Sequence, residues 1–585
     1  MTTQTLAPVT STLRYMPAGS DTTDLVAWLA DASHGVLALD TETTGLDTRA
    51  AGFRVRQLAF GASDGTAYVL DAGDVKMCRT ALVGAVRSGR KIWAHNATYD
   101  SMAIWHSLGL RVQNLRCSLV LTRTMDPGLI GTPGGSLKVL RPATQRALER
   151  LAAHWSAVSG VRVTAAAEHA WLADAVAGLP PSDPILVAYV ACDAVETARL
   201  VDYWSGVSNI ETRQVALRET VVEDLWRWPA DRGYRVDMDR LTVELANLDR
   251  VRREGVDRWG TDLTSNSDAT RAWLRGRGIR ITNSKGKETL SHKEYGKAYV
   301  PAAAAADWVA FKAVREVAQN ANKLNEIGNL AVDGRVYPSI RGIGAQTGRM
   351  SIGTPALQNL PAGLRGLLMA DPGMVLVGCD LDRVEPCVVA ALSGDPDLIA
   401  AVKADVYVEL AVAVWGEGAR EDARARKLAK TAFLAIIYGQ GPTSLADNLG
   451  ISEDEARDAL AQIQRAYPVM AGWAKGLRAA ARDGQPLSTA DGRPLPQTRD
   501  LPYRAVNWVV QGSAADLFKR ITIDVADRLG RGTLWLPVHD ELIVQVPVGT
   551  EGRALEVLGS AMTTQLLGVP ISGTPAVIGD RWGKL

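Results

Sequence analysis

Three short apolar runs in this chain each deliver carboxylates at their ends. GVLALD (Gly35–Asp40) leads to Glu42, MVLVGC (Met374–Cys379) leads to Asp380, and TLWLPV leads to His539-Asp540-Glu541. A run of four to eight apolar residues, rich in β-branched types, reads as a buried strand. Acids that emerge together from such a strand repel one another unless a cation lies between them. The chain therefore reads as an α/β protein whose strands present charge for chemistry at their ends.

With 585 residues the chain is long enough for several domains of about 150 residues each. Hydrophobic residues make up 47% and charged residues 22%, which excludes a mainly disordered chain. The net charge of +1 excludes a uniformly basic nucleic-acid wrapper but leaves room for a local basic cleft. The five cysteines form no CxxC pair and no zinc-spaced cluster, so reduced thiols in a cytosolic compartment are expected. The first twenty residues lack the pattern of a signal peptide, and no apolar run reaches the ~20 residues of a membrane span, so no membrane partner is expected.

No repeat or low-complexity tract is present. The first ~205 residues mix strands and helices: strands at 35–40, 55–62 and 66–70, the last two joined by Ser-Asp-Gly as a hairpin, and a helix from Pro184 to about Trp204. From about Ser208 the chain is helix-rich, with a long helix expected from Asp237 to about Leu263. GIRITNSKGKETLSHKEYGK is polar and Gly/Lys-rich and is expected to be a loop region. A second α/β portion begins near Val336. The expected boundaries are a major one near residue 207 and a softer one near 335.

Asp40 and Glu42 are two apart on a strand and so share a face. Asn96–Asp100 follows the strand-like IWAH, and Tyr189 and Asp193 are four apart on a helix, hence on one side of it. Singly, each acid is an ordinary solvated strand end or surface residue. As an ordered set, Asp40, Glu42, Asp100, Tyr189 and Asp193 resemble the DEDD exonuclease superfamily in its tyrosine variant. The resemblance implies an RNase H-like fold and 3′–5′ removal of nucleotides. The four acids would carry two divalent ions, and the Tyr189 hydroxyl would orient the attacking water.

A second constellation lies beyond residue 347. Arg426, Lys430, Leu434 and Tyr438 are spaced by four and form one slowly drifting helical stripe. It offers cations at one end, suited to a triphosphate, and an aromatic at the other, suited to a base. Gly439 removes the side chain where something can approach closely. Read alone, the helix is simply amphipathic with snorkelling cations. The His539-Asp540-Glu541 hairpin tip lacks the Gly or Asn of ordinary tight turns, and a broken local rule often marks a site.

The segments around Asp380, Arg426–Gly439 and His539–Glu541 resemble motifs A, B and C of the family A DNA polymerases. Thr347-Gly348-Arg349 with PALQNLP, the stretch NWVVQGSAADLFK, and the ending GDRWGKL, similar to that family's C-terminal strand, agree with them. The resemblance implies a right-hand polymerase (palm, fingers, thumb) over residues 208–585, following an exonuclease domain over 1–207. The thumb would span about 230–335, the palm about 336–400 and 500–585, and the fingers about 401–499. By the same resemblance Asp380 and Asp540 would hold two Mg²⁺ ions, with Mn²⁺ able to substitute. Arg426 and Lys430 would grip the phosphates. Glu385, Leu434, Tyr438, Gly439 and His539 would line the nucleotide site, with Glu385 excluding a 2′-hydroxyl. Arg349, Gln358, Asn359, Arg504, Asn507 and Gln511 would contact primer and template, partly through minor-groove acceptors that look alike for every correct pair.

Some positions depart from the family pattern. Leu381-Asp382-Arg383 and Pro386-Cys387 replace its usual residues around motif A, and Leu434 stands where it has Phe or Tyr. The arginine upstream of Asn507 is displaced to Arg504, which still shares a helical face with Asn507 and Gln511. No 5′-nuclease domain is recognisable, a compact form common among phage replicative enzymes. The expected enzyme is thus a monomeric phage DNA polymerase with proofreading, working on primer-template DNA and deoxynucleoside triphosphates in the host cytoplasm. Two alternatives are a single-subunit RNA polymerase-like enzyme and an exonuclease with a non-polymerising palm used for DNA binding.

Overall fold

The computed structural model describes residues 12–112, 115–283 and 286–583. Residues 1–11 of the segment read for a signal peptide, Ser284 and Lys285 of the polar stretch, and the final two residues of GDRWGKL lie outside them. The chain forms two compact units. The first comprises Met1–Asp231, Arg341–Met350 and Ser488–Pro496; the second comprises Arg232–Ile340, Ser351–Leu487 and Gln497–Leu585. The α/β, multidomain architecture expected from the sequence is present.

The first unit is built on a six-stranded mixed sheet: β1 (Thr12–Met16), β2 (Leu37–Thr43), β3 (Val55–Ala62), β4 (Thr66–Asp71), β5 (Ile92–Ala94) and β6 (Leu115–Cys117). Their spatial order is β1-β4-β3-β2-β5-β6. β2, β3 and β4 pair antiparallel, and β5 and β6 continue parallel to β2. The β3–β4 hairpin turns at Ser63-Asp64-Gly65 as the sequence indicates. Side chains alternate by strand geometry. Leu37, Leu39, Leu58 and Phe60 enter one core, while Ala59 and Val69 enter the core on the other face. Three helices matter for function: α1 (Ala97–Leu108), α2 (Pro184–Val207) and α3 (Ile210–Arg232). Asp183 caps α2 by accepting from the Ile185 and Leu186 amides, with Pro184 in the first turn.

The second unit has a helical arm led by α4 (Met238–Trp259), whose Asp237 is the N-cap rather than the first helical residue. The helix stops four residues before Leu263, because Gly260 takes the left-handed conformation that closes it. The polar stretch after Arg277 is more than a loop. It pairs Arg280 with Tyr299 and buries Ile279, Ile281, Leu290 and Tyr295 against Trp308 and Phe311. The alternating Ile279 and Ile281 were masked by the lysines and glycines around them.

Beyond the arm lie β7 (Met374–Leu381), α5 (Val384–Ser393), α6 (Val406–Trp415), α7 (Ala423–Tyr438), α8 (Arg504–Leu529), β8 (Leu534–Val538), β9 (Glu541–Pro547) and β10 (Gly573–Gly579). The strands form an antiparallel sheet in the order β8-β9-β7-β10. The last strand is thus GTPAVIG and not GDRWGKL. Of the latter, Gly579 ends that strand, Arg581 forms an isolated bridge to Met369 and pairs with Asp237 at 2.7 Å, and Trp582 is buried. Among the described residues no helix is long and apolar enough to cross a membrane.

Candidate active sites

Local packing assembles the first acid set. Asp40 and Glu42 lie on β2, and α2 crosses the neighbouring β3 at Gly61. A methyl group at Gly61 would lie 2.6 Å from the Val195 amide nitrogen and 2.7 Å from the Ala194 carbonyl carbon. Only glycine lets the helix backbone sit so close to the sheet. That approach brings Asp193 to the β2 acids: carboxylate oxygens of Asp40, Glu42 and Asp193 all lie within 4.8 Å of one another. Glu42, Asp193 and Tyr189 are buried.

Asp100 stands slightly apart from this trio. It accepts from the Thr41 hydroxyl at 2.8 Å and acts on Asp40 through its charge. Burial, and then the charge of Asp100, push the Asp40 carboxyl up to about 8. Burial likewise lifts Asp100 to about 7, against the pull of the Thr41 hydrogen bond. Glu42 and Asp193 are raised well above the carboxylate range, first by burial and then by Asp40. Among the described residues, buried Asp193 Oδ1 has no hydrogen-bond partner. Crowded, desolvated carboxylates with an unsatisfied oxygen are the donor set of a divalent-cation site.

The trio and Tyr189 line a cavity of about 230 Å³ together with Lys138, Glu168, His95 and Tyr99. Lys138 pairs with Glu168. Burial alone would draw the Lys138 ammonium down, but Asp193, Glu168 and Glu42 together raise it. Sequence reasoning missed both residues, which carry no motif of their own.

The second acid set sits where β7 and β9 pair, with Asp380 directly opposite Glu541. The Leu381 amide donates to the Asp540 carbonyl at 3.2 Å, which fixes the turn against the strand end. The β8–β9 turn is two residues long, and His539 takes a positive φ of 61°. A residue other than glycine in that region stores strain, the cost expected of a turn lacking Gly or Asn. Asp380 is open to solvent, yet the protein around it, then Asp540 and Asp382, push its carboxyl up to about 7. Glu541 also rises to about 7 through burial, although Arg365 pulls the other way. Among the described residues its buried Oε1 lacks a hydrogen-bond partner. The extra acid, Asp382, is tied to Ser572 through its amide (2.8 Å) and its carboxylate (3.4 Å).

The stripe on α7 has the expected orientation. Ala425, Ala429, Ala432, Phe433, Ala435, Ile436 and Ile437 are buried, which leaves Lys430 and Tyr438 exposed and Arg426 and Leu434 half-buried on the other side. The Arg426 guanidinium donates twice to Asp405 Oδ2, at 3.0 and 2.8 Å. Arg426 and Lys430 both lie over the Tyr407 ring, at 5.6 and 5.4 Å from its centre. Asp405 and Tyr407 are further residues that sequence reasoning did not single out. Their only signal is that Asp405 begins α6 as its cap. What approaches Gly439 is not open space for a ligand but the Tyr503 carbonyl, 2.6 Å from where a Cβ would stand. The Tyr438 hydroxyl donates to Glu385 at 3.4 Å and accepts from Gln511 Nε2 at 3.2 Å.

Arg504, Asn507 and Gln511 share the less buried side of α8, whereas Ala505, Val506, Val509 and Val510 are buried. The Gln358 amide donates to the Ile352 carbonyl at 3.0 Å, and exposed Asn359 accepts from Lys323 through its carbonyl at 3.1 Å. Arg349 lies in segment 341–350, which belongs to the first unit, whereas these others belong to the second.

Acids at paired strand ends and a helix that carries two cations are the groups that nucleotidyl transfer needs. The model of DNA polymerase family A matches residues 287–584, just over half of the sequence. The chain belongs to DNA polymerase family A, and its activity is DNA-directed DNA synthesis. It is 28% identical to the DNA polymerase of Mycobacterium phage D29, over 95% of this chain and 94% of the relative. It is 27% identical to that of Mycobacterium phage L5, over 94% and 93%. The fold resembles a solved structure of the POL domain of Pol1 from M. smegmatis in complex with DNA primer-template and dNTP. That match has a TM-score of 0.68 at 22% identity, covering 97% of this chain and 99% of that one.

Proposed function

We propose that this polymerase replicates phage DNA and proofreads its own product with a 3′–5′ exonuclease site in its first unit. One observation carries the reading: Asp40, Glu42 and Asp193 converge within 4.8 Å beside buried Tyr189, with Asp193 Oδ1 unsatisfied. Acids that merely end a strand are solvated and spread apart; these are held together in a cavity, at an electrostatic cost that a bound divalent cation relieves without protonating them.

Asp40, Glu42 and Asp193, with Asp100 beside them, would hold divalent ions at the first site, and Asp380 and Asp540 would hold them at the second, with Mg²⁺ as the ion and Mn²⁺ able to replace it. Ions bound there would neutralise phosphate charge and acidify the attacking hydroxyl or water. The rest is work for the protein's own groups. Tyr189 orients the water that attacks the terminal phosphodiester. Arg426 and Lys430 grip the incoming triphosphate, and Lys430 supplies a proton to the leaving pyrophosphate. Asp405 holds the Arg426 guanidinium in place until phosphate arrives. Glu385, steadied by Tyr438, excludes a 2′-hydroxyl. Arg349, Gln358, Asn359, Arg504, Asn507 and Gln511 contact primer and template.

The exonuclease domain is assigned to residues 1–207 and the polymerase to 208–585, with thumb, palm and fingers at about 230–335, 336–400 with 500–585, and 401–499. The M. smegmatis complex supports primer-template DNA and deoxynucleoside triphosphates as ligands. We take the enzyme as a monomer in the host cytoplasm.

The test is primer extension and 3′-end degradation measured side by side. Asp40→Ala with Glu42→Ala should abolish degradation of a single-stranded 3′ end and leave extension largely intact. Loss of both activities in a folded variant would overturn the two-site reading. Running the extension with deoxynucleotides and ribonucleotides in parallel separates it from an RNA polymerase-like enzyme.

A further inference from the structure

The buried face of α3 carries charges at a spacing of four: Glu219, Glu223 and Arg227, all buried. Burying charge is costly, so each should be held by partners. Those partners come from segments far apart in sequence. Glu219 pairs with Arg493, itself buried, of segment 488–496. Glu223 Oε2 accepts from the Gly342 amide at 2.5 Å, and its Oε1 accepts from the Thr98 hydroxyl at 3.0 Å. Arg227 donates to Asp224 at 3.0 Å, to the Leu115 carbonyl at 3.3 Å and to Thr98 at 3.4 Å.

Two of these anchors bear on one loop. Gly342 opens segment 341–350, and Ile343 is buried in the core of the first unit. Further along, the Gly344 and Ala345 amides both donate to the Arg349 carbonyl, at 2.9 and 3.1 Å, which closes the loop on itself. The Arg493 guanidinium lies against Gly348, 2.8 Å from where a Cβ would stand, and Gly348 has a φ of +84°. Arg349 is therefore held from both sides: Glu223 through Gly342, and Glu219 through Arg493 and Gly348. Thr98, which shares Glu223, lies two residues before Asp100 of the exonuclease set.

We infer that Glu223 is a positioning residue for DNA synthesis: it holds the loop that presents Arg349 to the primer-template and ties that loop to the exonuclease motif at Thr98. The inference rests on reading Arg349 as a primer-template contact. An ordinary core role predicts a general loss of stability. A positioning role predicts a defect confined to the step that Arg349 serves.

A double-mutant cycle separates them, with exonuclease inactivated by Asp40→Ala so that excision does not obscure extension. Arg349→Ala and Glu223→Ala should each raise the KM for primer-template by about tenfold, the effect of one lost charge-assisted hydrogen bond, with the KM for deoxynucleotide little changed. The double variant should be no worse than Arg349→Ala alone. Additive losses would show that Glu223 does not act through Arg349 and would overturn the inference. If Arg349→Ala changes nothing, it is instead the reading of Arg349 that fails. Should Glu223→Ala not fold, the same cycle is run with Glu223→Gln, whose amide keeps the shape but loses the charge. A smaller rise in the same KM is then expected, and a rise in the deoxynucleotide KM instead would overturn the inference.

Discussion

The hydroxyl of Tyr438, at the end of α7, reaches the carboxylate of Glu385 on α5 at 3.4 Å. The same hydroxyl accepts from Gln511 Nε2 at 3.2 Å, so the Glu385 carboxylate is tied to a phenol that is itself held. Glu385→Ala should therefore raise ribonucleotide incorporation relative to deoxynucleotide. Tyr438→Phe, which keeps the ring but removes the hydroxyl's bonds to both Glu385 and Gln511, should raise it less. Single-turnover incorporation of matched deoxy- and ribonucleotides gives the ratio, and an unchanged ratio in Glu385→Ala ends the claim.

Leu434 is half-buried on the same side of α7 as Lys430 and Tyr438. Its side chain has no donor with which to compensate for a missing sugar hydroxyl. The enzyme should discriminate against dideoxynucleotides, and Leu434→Tyr should relax that preference by roughly 1–3 kcal/mol, about ten- to hundred-fold. The readout is the deoxy-to-dideoxy incorporation ratio with the exonuclease inactivated. If both rates fall together at a constant ratio, leucine is there only to pack.

The acid sets make stability depend on pH in a defined direction. Burial, joined by the charge of Asp100, holds Asp40 at about 8, and burial lifts Asp100 to about 7 against the pull of Thr41. A carboxyl that binds its proton more tightly folded than unfolded contributes stability that is complete below about pH 4. That contribution is lost as pH rises through the folded-state value. With EDTA present, Tm should decline between about pH 4 and pH 8, and Mg²⁺ should flatten the decline at its upper end. Thermal melts across pH in both conditions check this; identical slopes with and without Mg²⁺ would falsify it. In Asp40→Asn the EDTA slope should be shallower.

Gly61→Ala should weaken the proposed exonuclease activity more than DNA synthesis. The added methyl meets backbone atoms of α2 at 2.6 and 2.7 Å, so the helix carrying Asp193 must move away from β2. Overpacking of this kind costs about 1–3 kcal/mol. The ratio of excision to extension rates reports it, and a proportional loss of both rates would argue against a local shift.

Much of this was legible in the chain itself. Hydrophobic runs bounded by acids gave β2, β7 and the β8–β9 hairpin, because strand burial and turn position are local properties. The α7 stripe was readable for the same reason: a period of four defines one side of a helix. What was not legible depends on packing between distant segments. Nothing near Lys138 announces that it shares a cavity with Asp193. Nothing in the Asp405 segment shows that it meets Arg426. Gly439 looked like space for a ligand, and only the folded chain shows Tyr503 there. The displaced end of α4 and the missing strand at GDRWGKL are errors of extent, where a helix-stopping glycine and a preceding strand were given too little weight.

The chain passes between its two units five times, since segments 341–350 and 488–496 return to the first one. The proposed exonuclease unit is consequently not a detachable module. A fragment ending at Asp231 would keep Glu219 and Glu223 but lack Arg493 and Gly342, leaving two carboxylates in the interior with their main partners gone. Moving this unit onto another polymerase would require the two returning loops to move with it, and deleting it would require them to be replaced.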